Sequence, residues 1–161
     1  MRRTRSRLAA PGAGPYDLAM STSPGRDAAG ERVLLAAGEV SERAELLNGF
    51  LQLALDGEVS GGDPDNARWR CSSSLSWQLG RSGEVTLGEG DLALEDGDSE
   101  LFAILEHGTA VADPETGSAL VRAVFTVDGA RGDWAATGDR VACELTIDAE
   151  SWRGELRIRP A

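Results

Sequence analysis

The stretch ALVRAVFTVDGARGDWAATGDRVACELTI, residues 119–147, contains the pattern that decides the fold. In its first part every odd-numbered position from Ala119 to Val127 is apolar, and in its last part every odd-numbered position from Val141 to Ile147 is apolar. Alternation with a period of two is typical of β-strands with one buried and one wet face. The stretch therefore predicts two antiparallel strands joined by a glycine-rich connection.

The connection DGARGDWAATG, residues 128–138, resembles a phosphate-binding loop only in its glycine content. Phosphate loops lie between a buried parallel strand and a helix N-terminus, whereas these glycines lie between two alternating strands. We expect Gly129, Gly132 and Gly138 to provide positive φ or close backbone approach at a corner of a β-barrel. Trp134 is expected to pack inward between them.

The same alternation recurs in residues 67–79 and 152–159, and turn signals such as the Asp96–Asp98 segment separate the runs. Only SERAELL, residues 41–47, is ambiguous between a helical turn and a strand continuation. Antiparallel strands that close into a barrel leave no free edges. The sequence predicts an all-β fold: a single antiparallel β-barrel of about eight strands over residues 31–161, preceded by an arm over residues 1–30. The residues expected to point inward are Trp69, Cys71, Ser73, Trp77, Phe125, Trp152 and Gly154, and those expected to point outward are Arg70, Arg122, Glu144, Arg153 and Arg157.

The charge of the chain excludes some partners. The formal net charge is −11, and all 16 basic residues are arginine, as in GC-rich genomes such as those of actinobacteria. An acidic surface repels the phosphate backbone, so nucleic acid is not an expected partner. The sequence has no apolar run long enough for a signal peptide or a membrane span, so we expect a cytoplasmic protein without membrane contact. Whether it forms a homodimer stays open.

Residues 1–30 differ in charge from the rest of the chain. They carry five arginines against two aspartates, a net +3, whereas residues 31–161 carry eleven arginines against 25 acidic residues, a net −14. The arm is therefore expected either to close over the barrel as a lid, with Tyr16, Leu18 and Met20 as its apolar contacts, or to be a tail. A third alternative is that Met20 is the natural start.

Few residues are of the kinds that carry acid–base, nucleophilic or metal chemistry. Cys71 and Cys143 are interpreted as buried thiols, and the single histidine, His107, as a surface or rim residue. One histidine and two distant cysteines do not form a zinc site, and Ser72, Ser73 and Ser74 lack a nucleophile elbow. No metal and no cofactor are expected.

A strand is followed by the glycine-rich connection that contains Trp134 and then by a second strand. This pattern resembles the barrel superfamily of allene oxide cyclases and dirigent proteins. It is most similar to the small actinobacterial cyclases that form spirotetronate and spirotetramate rings. EGDLAL, residues 89–94, followed by ELFAILEHG, residues 100–108, fits the same paired strands. The chain departs from the family pattern at Asp128-Gly129-Ala130, where a Gly-Gly-Thr or Gly-Gly-Ser run is common.

The resemblance implies a cofactor-independent [4+2] cyclase of polyketide biosynthesis, which folds an apolar polyene inside the barrel so that its reacting ends meet. Gln52 and Ser73 would be its hydrogen-bond donors to the substrate carbonyl. The residues that would line its cavity are Trp69, Cys71, Trp77, Phe125, Trp134 and Trp152. The alternatives are a non-catalytic barrel that binds a hydrophobic small molecule and a packed barrel with an interaction role, because eight strands enclose either side chains or one small ligand.

Overall fold

The computed structural model describes residues 30–47, 49–61, 67–81 and 83–161. They form eight strands and one short 3₁₀ helix, Gly132–Trp134. The strands are β1 Arg32–Glu45, β2 Leu51–Ser60, β3 Arg68–Leu79, β4 Glu84–Asp96, β5 Ser99–Asp113, β6 Ser118–Arg131, β7 Arg140–Asp148 and β8 Arg153–Pro160. In the part of the chain that the structure describes, no helix is long and apolar enough to cross a membrane.

The eight strands form a closed antiparallel barrel, as the sequence predicts. Each strand pairs with the next along the chain, and β8 closes the barrel by pairing with β1, with Arg32 opposite Ile158. Residues 41–45 continue β1, so SERAELL is largely a strand continuation. A turn at Gly97 joins β4 and β5, which confirms the turn predicted there.

The predicted inward and outward faces are confirmed for most of the residues concerned. Val121, Phe125, Cys143 and Leu156 are buried, whereas the arginines between these positions are exposed. A bulge interrupts the alternation in β5, because Leu105 and His107 pair with consecutive residues of β6. It adds one residue to the strand, so Glu106 and His107 are both exposed between the buried Leu105 and Gly108.

One end of the barrel is closed by the glycine-rich connection between β6 and β7. Gly132 and Gly138 have φ values of +61° and +88°, and Trp134 packs inward with 1% of its surface exposed. These three predictions are confirmed. The prediction for Gly129 is wrong, because its φ is not positive and a Cβ there would meet nothing within 4 Å. We call this end the plugged end.

Two tryptophans and a buried arginine fill the plugged end. The rings of Trp69 and Trp134 meet edge to face, with centroids 5.1 Å apart. The Arg32 guanidinium lies 4.2 Å from the Trp134 ring centroid and donates a hydrogen bond to the Asp133 carbonyl oxygen. Such a contact offsets part of the cost of burying a charge. The segment that closes this end, residues 132–134, is therefore held in place by contacts with Trp69 and Arg32 in the barrel interior.

The opposite end of the barrel is packed less completely. It carries the connections from β1 to β2, β3 to β4, β5 to β6 and β7 to β8. Its inward side chains Trp77, Val85 and Leu145 are only half-buried, whereas Leu34, Leu94 and Leu101 toward the plugged end are fully buried. We call it the open end.

Candidate functional site

The residues predicted to line the cavity are divided between the plugged end and the open end of the barrel. Trp69, Phe125 and Trp134 are buried in the packed core, where they contact other side chains. Trp77 and Cys71 pack against this core but are half-buried. Residues toward the open end are therefore the ones that can meet a ligand without dismantling the core.

The two predicted hydrogen-bond donors lie on opposite faces of the sheet. Ser73 faces inward, but its hydroxyl donates a hydrogen bond of 2.6 Å to the Asp91 carbonyl oxygen. The placement of Gln52 inside the barrel is wrong: it precedes the buried Leu53, so strand alternation turns its exposed amide outward, where it donates to Ser74 Oγ. Neither side chain presents a free donor to the interior.

The indole N–H of Trp77 is a different donor, which was not predicted from the sequence. Trp77 Nε1 is buried and, like Nε1 of Trp69 and of Trp134 in the packed core, has no hydrogen-bond partner within the described residues. Its strand position turns the ring inward near the open end, where it pairs with Leu51 and Leu87 on the neighbouring strands. A buried donor without a partner is costly, so a ligand carbonyl placed there would gain a hydrogen bond. The alternation in the sequence places the ring but cannot show which atoms lack partners.

Trp152 does not lie in the strand to which the sequence analysis assigned it. It precedes β8 in the turn after β7 and has a φ of +53°, the only positive φ of a described residue other than glycine. A bulky residue in this region stores backbone strain on the order of 1–2 kcal/mol. Two backbone hydrogen bonds hold the turn: the Trp152 amide donates to Asp148, and the Gly38 amide donates to the Trp152 carbonyl.

The ring of Trp152 forms one wall of an open apolar cleft of about 70 Å³, which we call the mouth cleft. Its other walls include Ala36, Leu55, Cys71, Leu145 and Ile147. Gly38 and Gly57 also line the cleft and face each other across β1 and β2, so no side chain fills the space between these walls. About 10–15 Å³ of such space is enough to hold one water, so the mouth cleft has room for several water-sized groups. It therefore takes a small apolar group, such as the end of a larger ligand.

The two cysteines are free thiols, as predicted, but only Cys143 is buried, whereas Cys71 is half-buried. Burial raises the pKa of Cys71 to about 11, with a smaller contribution from the negative charge of Asp56. Burial raises the pKa of Cys143 to about 12, with a smaller contribution from Cys71. Because the thiolate is the nucleophile, these shifts make both side chains inert apolar groups at neutral pH.

We expect iodoacetamide at pH 8 to leave the folded protein unmodified over a time in which the urea-unfolded protein takes up two adducts. A thiol with a pKa of about 11 is roughly 0.1% ionised at that pH. Intact mass measured over time gives both rates. Rapid single labelling of the native protein would show that Cys71 is reached through the mouth cleft as a thiolate and would contradict this assignment.

A larger depression of about 620 Å³, which we call the outer groove, lies on the outer face of the barrel. It crosses β4 to β8, and its lining includes Thr86, Thr109, Arg122, Glu144 and Arg157 in one cross-strand row and His107, Val124, Ala142 and Arg159 in another. His107 is exposed here, as the sequence predicts for a surface or rim residue. Nothing in the sequence pattern predicts that this part of the wall is concave.

Glu106, which precedes His107 in the bulge, is held by Arg140 rather than free for acid–base chemistry. Arg140 Nη2 and Nε donate to the two oxygens of the carboxylate at 2.6 and 2.9 Å. These bonds, with a further one from Thr126, lower the pKa of Glu106 from 4.5 to about 2. The carboxylate is therefore ionised and paired throughout the neutral range, which makes it a poor general base.

Tyr16, Leu18 and Met20, the predicted lid contacts, lie outside the described residues. Gly30, the first described residue, lies beside Pro160 at the plugged end rather than at the mouth cleft. Within the described ranges, no group of three histidine, cysteine, aspartate or glutamate side chains is arranged to hold a metal ion.

Comparisons with protein-family models, with curated proteins and with solved structures give no match to this chain.

Proposed function

We propose that the barrel binds an apolar small molecule at its open end, with the mouth cleft taking a terminal alkyl group of the ligand. The observation that carries this proposal is the apolar cleft under Trp152, a residue kept in a strained conformation at the edge of the barrel interior. Strained backbone at a cleft is a recurrent feature of ligand sites. Apolar walls with few polar groups are also what such sites share.

The proposal extends to a [4+2] cyclase, the activity that the resemblance to spirotetronate cyclases implies. The mouth cleft takes only one end of a polyene, so a whole substrate requires the turn of residues 149–152 to move outward. Trp77 would donate to the substrate carbonyl as charge develops there, in place of Ser73 and Gln52.

Binding is tested first, with toluene as a neutral apolar probe. We expect toluene to shift the amide resonances of Gly38, Cys71 and Ile147 in a heteronuclear NMR titration of the intact chain. Trp152→Ala removes one wall and is expected to change the affinity, whereas Leu79→Ala, a 73% exposed position outside the cleft, leaves it unchanged. Shifts scattered over the surface, or none at saturation, would defeat the binding proposal.

Catalysis is tested separately with a linear polyene tetronate. Cycloaddition conserves mass, so turnover appears as loss of polyene absorbance and a product of identical mass with a new retention time. Trp77→Phe keeps the ring but removes the N–H, and we expect it to slow turnover about tenfold, the value of one hydrogen bond. Ser73→Ala is the comparison and has a smaller effect. Toluene binding without turnover would leave a binding protein and reject the cyclase.

A further inference from the structure

From its geometry we infer that the outer groove is a second binding site, separate from the mouth cleft, and that it takes a medium-chain organic carboxylate. The carboxylate of this ligand pairs with Arg159, and its alkyl chain runs across the strands toward His107. The inference goes beyond the proposed function, because the groove is on the opposite face of the barrel wall from the predicted cavity.

The shape of the outer groove fits an extended chain. In the row formed by His107, Val124, Ala142 and Arg159, the two middle side chains are short and apolar. The ends of the row are three strand steps apart, on the order of 14 Å at the usual strand spacing. An extended chain of about ten carbons spans most of this distance. The floor therefore offers apolar contact between two polar ends.

The charges in the groove favour an anion at one end. Arg122 is bonded to Glu144 at 3.0 Å, and Arg157 to Glu155 at 2.7 Å, with Glu31 3.6 Å from Arg157. Arg159 has no carboxylate of the described residues within salt-bridge distance. Among the described arginines that line the groove, Arg122, Arg157 and Arg159, it is the one without such a partner. Its guanidinium can hold a carboxylate through two hydrogen bonds.

The acidic side chains of the groove determine where the anion binds. Glu144 lies in the row that contains Arg122 and Arg157, and Glu31, which precedes the Arg32 that pairs with Ile158, is 3.6 Å from Arg157, so these two carboxylates neutralise much of the positive charge of that row. A carboxylate placed there would displace an existing ion pair. At Arg159 it forms a new one, so the polar end of the ligand is directed to β8 and its chain to Val124 and Ala142.

The experiment uses the full chain and decanoate below its micelle-forming concentration. We expect decanoate to shift the amide resonances of Val124, Ala142 and Arg159, and hexanoate to bind more weakly because its chain ends short of His107. Decyltrimethylammonium, which has the same chain with the opposite charge, should not bind in the groove. Arg159→Gln is expected to raise the Kd for decanoate about tenfold, through loss of a charge-assisted pair.

Arg153→Gln is the matched control, since Arg153 is an exposed arginine at the other end of β8 and outside the groove. It should bind decanoate like the unaltered chain. Val124→Asp introduces a negative charge into the floor of the groove and should weaken decanoate binding as well. Equal affinity of Arg159→Gln and the unaltered chain, or decanoate shifts confined to the mouth cleft, would overturn the inference. The toluene titration at the mouth cleft is unaffected by either outcome.

Discussion

Trp134→Ala is expected to lower the free energy of unfolding by about 3–5 kcal/mol, the usual range for removing a buried aromatic side chain. Trp134 is 1% exposed, meets Trp69 edge to face and covers the Arg32 guanidinium. Its loss leaves a cavity at the plugged end and exposes a charge that the ring had covered. Urea unfolding followed by circular dichroism measures the change.

Two further variants test whether the loss of stability is specific to the Trp134 ring at the plugged end. Trp134→Phe keeps a ring over Arg32 and should lose less than half as much stability. Leu47→Ala removes a side chain that is fully exposed in the connection after β1, and its stability should stay within about 0.5 kcal/mol. A loss below about 1 kcal/mol for Trp134→Ala would show that residues 132–134 do not close the barrel.

Gly154→Ala is expected to cost about 3 kcal/mol, at the upper end of the usual range for overpacking. A Cβ at Gly154 would overlap the Thr146 carbonyl oxygen and lie 2.8 Å from the Ile147 Cα. These are backbone atoms of the paired strand β7, so no side chain can rotate away. The substitution therefore separates β7 from β8 next to the turn that holds Trp152, and urea unfolding again measures the loss.

Gly129→Ala is the matched control, because a Cβ there meets nothing within 4 Å and its φ is not positive. It should leave the free energy of unfolding within about 0.5 kcal/mol or raise it slightly, since alanine restricts the unfolded chain. Equal effects of the two substitutions would mean that β7 and β8 do not approach each other closely at Gly154.

The alternation of side chains predicted the barrel and most of its inward residues because the period of a strand is a local property. Trp69 and Phe125 follow from that period alone. The prediction that Trp152 belongs to β8 is wrong because Trp152 continues the alternation of that strand but precedes it. It lies in a turn whose conformation depends on a hydrogen bond from Gly38. Gln52 was misplaced as an interior donor because its type suggested a chemical role that its position on the strand does not allow.

By itself the sequence determined the strand periods, the turns between them and the glycines at 132 and 138, because alternation and backbone freedom are properties of neighbouring residues. Closure brought together residues more than 100 positions apart, such as Arg32 and Asp133. The tertiary structure alone decided which interior positions are packed, that the Trp77 N–H has no partner among the described residues and that the outer wall of β4 to β8 is concave. Each of these depends on the shear and curvature of the closed sheet, which set the distances between strands that are not neighbours in the chain.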